Sequence, residues 1–137
     1  MRVGTDIVEV SRIKRAVERT GQAFLDRVYT PGEQEYCLAG GRVRYESLAA
    51  RFAAKEAYSK AVGTGVGEHA QLQEIEVKHT DTGKPVLVLS GSTLKFFESN
   101  FPGAELDISL SHTRSLAAAT VVIGHACASN STEEIPG

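Results

Sequence analysis

The sequence predicts an α+β domain, helices first and a small, mainly antiparallel sheet packed on them, and three observations carry this. From Glu46 to Val62, residues recur at helical spacing, with Ala49, Ala50, Ala53, Ala54, Ala57 and Ala61 on one half of the helix surface. Thr30-Pro31-Gly32-Glu33 has the spacing of a capping box with proline at the first helical position. After residue 73 the period changes to polar–apolar alternation in Glu74-Ile75-Glu76-Val77-Lys78. Helical patterns followed by strand patterns, rather than the two interleaved, point to α+β.

In chain order, Met1 to Thr5 reads as a short strand with Asp6 at its end. A helix follows from about Ser11 to Arg19, stopped by Thr20-Gly21, and a further turn runs through Phe24 to Val28. The helix opened by Thr30 is expected to end at Gly40-Gly41, and the main helix at Gly63, which suits a C-terminal cap. Asp81-Thr82-Gly83-Lys84-Pro85 is a turn between two strands, the second being Pro85 to Leu89. A helix from Ser92 to Asn100 precedes Pro102-Gly103. Leu106 to Ser111 and Leu116 to Ile123 then pair as strands around His112-Thr113-Arg114-Ser115. Residues 1–127 make one domain, and 128–137 have the composition of a frayed tail.

A chain of 137 residues holds one real core, near the size where assembly helps. The formal net charge of −2 gives no overall preference for nucleic acid or membrane. Locally the balance differs: Arg12, Lys14, Arg15, Arg19 and Arg27 face only Glu18 and Asp26 in the same stretch. Arg12, Arg15 and Arg19 share one arc of the first helix, as a solvated face or as a dock for an acidic partner. Cys37 and Cys127 form no metal-like spacing and no disulfide framework, so free thiols in a reducing, cytoplasmic setting are expected. The opening residues leave no room for a signal peptide, and the best apolar run, Leu116 to Ile123, is too short to span a bilayer.

The chemistry concentrates in Arg51-Phe52-Ala53-Ala54-Lys55-Glu56-Ala57-Tyr58-Ser59-Lys60, which runs into Gly63-Thr64-Gly65-Val66-Gly67. Arg51, Lys55, Glu56, Ser59 and Lys60 sweep the half of the helix opposite the alanines. Glu56 with Lys60 alone is an ordinary i,i+4 surface pair worth a few tenths of a kcal/mol, about 0.3. Three cations around one carboxylate exceed what such a pair needs, and an external anion is their natural complement. Asp6 is either a cap or turn contact or the acidic partner of Glu56. Two carboxylates about 4 Å apart repel by ~4 kcal/mol at an effective dielectric of 20, so they converge only around a proton or a cation. Mg²⁺ takes such oxygens together with substrate phosphates. The glycine run is either a helix stop with a turn or a loop whose N–H groups cradle phosphate. His112 is either a locally bonded turn residue or a substrate contact.

Taken in order, Gly4-x-Asp6, the Arg51-to-Ala57 run with Ser59-Lys60-Ala61, and Ser109-Leu110-Ser111-His112 resemble the holo-acyl-carrier-protein synthases, small bacterial 4′-phosphopantetheinyl transferases of fatty acid synthesis. The resemblance spans about residues 1 to 124. It implies transfer of phosphopantetheine from coenzyme A to a serine of acyl carrier protein, with release of 3′,5′-ADP. It implies Mg²⁺ at Asp6 and Glu56, with Lys60 beside the diphosphate. Arg51, Lys55, Ser59, Gly63, Gly65, His112 and Thr113 match positions near the nucleotide and its phosphates, and Arg42 or Arg44 a further 3′-phosphate contact. It further implies a homotrimer with active sites between subunits, the first helix as the carrier's dock with Arg12 at a position used there, and no nucleic-acid or membrane partner. The base for the serine proton stays open among Asp6, Glu56 and a water on the metal. Two other classes use the same residues: a non-catalytic anion-binding module, and a metal-dependent phosphoester hydrolase.

Overall fold

The structure, a computed structural model, describes residues 1–125. The expected tail at 128–137 and Cys127 lie outside the described residues. The elements are β1 (Arg2–Glu9), α1 (Val10–Thr20), α2 (Gln22–Val28), α3 (Pro31–Cys37), α4 (Tyr45–Val62), β2 (Ile75–His79), β3 (Pro85–Leu89), α5 (Gly91–Asn100), β4 (Ala104–His112) and β5 (Leu116–His125). All strand pairs are antiparallel, but they form two sheets rather than one: β1-β5-β4, and the separate hairpin β2-β3. The α+β class therefore stands.

Local signals explain most boundaries. The capping box at α3 is complete: Glu33 N–H donates to Thr30 Oγ1 at 3.2 Å, and Thr30 N–H to Glu33 Oε1 at 3.0 Å. α3 nevertheless stops at Cys37, short of the expected Gly40-Gly41. Only a single 3₁₀ turn, Ala39–Gly41, continues beyond it. α4 ends as expected on Gly63, whose φ of +88° is left-handed and whose N–H donates to Ser59 O and Lys60 O, both at 3.1 Å. Arg2 closes the same helix end from outside, its Nε donating to Ala61 O at 2.8 Å and its Nη2 to Val62 O at 3.2 Å.

β1 corrects the sequence reading. It runs four residues past Thr5, because Ile7 and Val8 continue the alternation against Ala118 and Ala117 of β5. Asp6 thus sits in mid-strand and does not cap α1, which begins after Glu9 with no side-chain cap.

α4 is the axis of the fold. All six alanines of its first face are buried against β1 and β5. Gly4 brings the two backbones together: a Cβ at that position would lie 2.0 Å from Ala57 O and 2.6 Å from Ala61 N. The opposite half is not a solvated face. Arg51, Lys55 and Ser59 are 4%, 0% and 1% exposed, covered by the α2–α3 segment and the approach to β2. On its other side the three-stranded sheet is open, leaving Val3 and Ile7 of the edge strand 58% and 66% exposed.

Candidate active site

The polar half of α4 divides into two lines with different fates. Arg51, Lys55 and Ser59, spaced four apart, turn inward; Glu56 and Lys60, about 100° round the helix, turn toward β1. β1 crosses the C-terminal part of α4, with Arg2 on the Ala61 and Val62 carbonyls and Gly4 against Ala57 and Ala61, so the Lys60 side chain reaches Thr5 and Asp6. Lys60 Nζ donates to Asp6 Oδ1 at 2.9 Å and to Thr5 O at 3.2 Å. Partial burial first, then the charge of Asp6, raise the Glu56 carboxyl above its usual range, while Lys60 and Arg12 pull it down. Glu56 thus feels the charge of Asp6, and among the described residues the one ion pair between α4 and β1 is Lys60 with Asp6.

Arg12 is exposed on α1 with Arg15 and Arg19, as the docking stripe requires, and its charge is felt at Glu56. Beyond Lys60 the glycine run holds left-handed backbone at Gly63 and Gly65, and Gly65 N–H folds back to Ser59 O at 3.1 Å. Ser59 Oγ is engaged as well, donating to Glu56 O at 2.7 Å.

Lys55 departs most from its expected role as a phosphate contact. Its ammonium has three donors, and they meet Glu33 Oε1 at 2.7 Å, Val28 O at 2.8 Å and Leu72 O at 2.8 Å. Nothing is left for an external anion. Burial lowers its pKa, with Glu33 opposing. Glu33 was missed as a member of this set. The capping-box spacing revealed one of its oxygens, but not the second, which accepts from Val77 N–H at 2.8 Å. Arg51 lies over the Tyr36 ring, 4.6 Å from its centre, and donates Nη1 to Ser47 O at 3.3 Å. It lines a cavity of about 680 Å³ with Tyr36, Glu76, Lys78 and His79.

His112 and Thr113 lie elsewhere. His112 ends β4, exposed, two strands across from Val8 and about 10 Å away over the sheet. Thr113 closes the hairpin, its N–H donating to Leu116 O at 2.8 Å and its Oγ1 accepting from Leu116 N–H at 3.1 Å. The largest cavity, about 800 Å³, opens beside this hairpin and not at the acids; Lys14, Arg42, Arg44 and Arg114 line it with Glu9 and Glu46. Arg44 is partly committed, donating Nη1 to Tyr36 O and Ala39 O at 3.1 and 3.2 Å. One chain therefore carries the acid pair and the basic cavity as separate features.

A hard cation fits the acid pair by donor type: Asp6 and Glu56 offer carboxylate oxygens on neighbouring elements, and Lys60 offers charge for an anion beside them. Among the described residues, no group of three or more His, Cys, Asp or Glu side chains converges. An ion there would take the rest of its shell from ligand and water oxygens.

Comparisons with known proteins place the chain in a family. The profile of the 4′-phosphopantetheinyl transferase superfamily matches residues 2–121. The holo-[acyl-carrier-protein] synthase of Ruminiclostridium cellulolyticum is 50% identical over 123 residues, covering 90% of this chain and 91% of that protein. Its counterpart from Chloroflexus aurantiacus is 49% identical over 134 residues, covering 87% and 94%. Among solved structures, the Neisseria meningitidis holo-[acyl-carrier-protein] synthase superposes with a TM-score of 0.80 at 36% identity, covering 90% of this chain and 97% of that one. The Helicobacter pylori enzyme in complex with coenzyme A gives 0.76 at 32% identity, covering 89% and 99%. The chain belongs to the 4′-phosphopantetheinyl transferase superfamily, in its holo-[acyl-carrier-protein] synthase family.

Proposed function

We propose that the protein transfers 4′-phosphopantetheine from coenzyme A to a serine of apo-acyl carrier protein, releasing 3′,5′-ADP, with the transferase domain spanning residues 1–127. The observation that carries this is Lys60 Nζ bonded to Asp6 Oδ1 at 2.9 Å across α4 and β1, with Glu56 one turn back from Lys60 on the same line of α4. Phosphoryl transfer asks chiefly for positioning and charge neutralisation. Mg²⁺ held by Asp6 and Glu56 would supply neutralising charge to the diphosphate. Lys60 adds a cation for the phosphate oxygens beside that site. Glu56, which makes no salt bridge among the described residues, is the acid best placed to take the serine proton.

The acidic carrier docks on α1, where Arg12, Arg15 and Arg19 are exposed and the charge of Arg12 is felt at Glu56. The basic cavity near His112 and Thr113, with Arg42, receives the nucleotide end of coenzyme A bound at a neighbouring subunit. This follows if the active site is completed between copies of the chain. The open sheet face, with Val3 and Ile7 exposed on an edge strand, supports a homotrimer assembled through that face. Sedimentation equilibrium should then give three times the 14.7 kDa chain mass; a monomer would remove this part of the reading. Among the described residues no helix is long and apolar enough to cross a membrane.

The test is direct. Purified protein with coenzyme A, Mg²⁺ and apo-carrier should add phosphopantetheine to the carrier, seen by intact mass. Glu56→Gln should abolish the gain, a loss of at least ~10³-fold, without shifting the urea midpoint. In the same assay, Arg15→Glu with Arg19→Glu should raise KM for the carrier and leave that for coenzyme A. Nucleotide release without any carrier modification would indicate a hydrolase instead. Coenzyme A binding that survives Asp6→Asn without metal would indicate a binding module.

A further inference from the structure

Lys60 has a second relation to the acid pair beyond supplying charge to a phosphate. Asp6 is largely covered, its side chain 17% exposed, whereas that of Lys60 is 53% exposed. The ammonium therefore sits on the solvent side of the carboxylate, 2.9 Å from Oδ1, with a second hydrogen bond to Thr5 O at 3.2 Å. Any cation reaching Asp6 from solvent meets this charge within about one ion diameter. With only two acids on offer among the described residues, the protein's own donors are too few to hold a divalent ion strongly against it.

Lys60 also has somewhere to go. It stands in the last turn of α4, three residues before Gly63, on a flexible four-carbon stem. The glycine N–H groups that follow, Gly63 and Gly65, bond back to α4 carbonyls, so in this turn the mobile ammonium is the group that meets an anion. A diphosphate arriving beside it gives the ammonium a second anionic partner and frees Asp6 Oδ1.

We propose that Lys60 is the resident counter-ion of Asp6 and makes divalent-metal binding at the acid pair conditional on a diphosphate. Metal and diphosphate bind as a coupled pair, and neither binds well alone. The inference rests on the metal reading of Asp6 and Glu56 given above. By linkage, whatever the diphosphate adds to metal affinity the metal adds to diphosphate affinity. Removing the ammonium strengthens binding of the ion alone and weakens the coupling.

Mn²⁺ titration of the full chain, followed by the electron-spin resonance signal of free Mn²⁺, tests this without turnover. Wild type should bind Mn²⁺ weakly alone and much more tightly with coenzyme A present. Lys60→Met should bind Mn²⁺ alone about tenfold more tightly and show about a tenfold smaller gain from coenzyme A. Lys60→Gln serves as a second neutral variant, and Lys60→Arg, which keeps the charge, should bind Mn²⁺ alone no more tightly than wild type. Circular dichroism checks that each variant is folded. If both neutral variants bind Mn²⁺ alone no better than wild type, the counter-ion role is overturned while the metal site stands. If Asp6→Asn and Glu56→Gln bind Mn²⁺ as wild type does, the metal reading itself fails, and this proposal with it.

Discussion

Gly4→Ala is expected to cost at least about 3 kcal/mol of stability, a large part of the roughly 5–15 kcal/mol that holds a domain together. The added Cβ would stand 2.0 Å from Ala57 O and 2.6 Å from Ala61 N. Both obstacles are backbone atoms of α4, so neither can swing aside as a side chain would. β1 must lift off α4, and Asp6, two residues along, lifts with it. Loss of stability should therefore be joined by loss of transfer activity in the fraction still folded. The contrast is Gly40→Ala. Gly40, unlike Gly4, holds a positive φ, +71°, but a Cβ there meets nothing within 4 Å, so the cost is conformational and about 1 kcal/mol. Urea midpoints of the two variants decide the matter. An unchanged midpoint for Gly4→Ala would mean that the strand–helix contact is not as close as described.

Lys55→Met is expected to cost about 3–5 kcal/mol, because it strands a buried carboxylate. Lys55 and Glu33 are both fully buried and 2.7 Å apart. Between them they tie together the end of α2 at Val28, the cap of α3, the turn at Leu72 and β2 at Val77. Methionine fills the stem but leaves Glu33 with only its two backbone donors, and removes the lysine donor from the Val28 and Leu72 carbonyls, of which Leu72 O keeps Ile75 N–H. The measurement that separates this role from phosphate binding is the KM for coenzyme A, taken well below the unfolding transition. It should stay near wild type while the urea midpoint falls. A raised KM with an unmoved midpoint would return Lys55 to the ligand site.

What the sequence made legible was local chemistry. The Thr30–Glu33 capping box and the Gly63 terminus are set by residues within one helical turn of the boundary, and both were found where expected. The end of β1 was misread because Ile7-Val8-Glu9 runs straight into a helix that no side chain caps. Only pairing with Ala118 and Ala117, far along the chain, fixes those residues as strand. The acid pair was legible as chemistry: two acids separated by fifty residues but matching an ordered set of blocks. The burial of Arg51, Lys55 and Ser59 was not, since polar residues four apart look alike whether they face water, a ligand or an internal partner. Only the placement of Glu33 and two backbone carbonyls tells these apart. The split of the basic residues between Arg12, whose charge is felt at Glu56, and Arg42 and Arg114 at another cavity likewise needs the third dimension.

The order of strands in the larger sheet bears on how the chain is made. β5 lies between β1 and β4, so Arg2 waits for Ile123 and Glu9 for Leu116. A ribosome delivers the first strand at the outset and its neighbour only near the end of the described chain, seconds later at ordinary elongation rates of about 5–20 residues per second. Until then the alanine face of α4 has no complete sheet to lie against, and β1 has no hydrogen-bonded partner. The three-stranded sheet therefore cannot close until β5 has been made, whereas the β2–β3 hairpin needs nothing beyond Leu89.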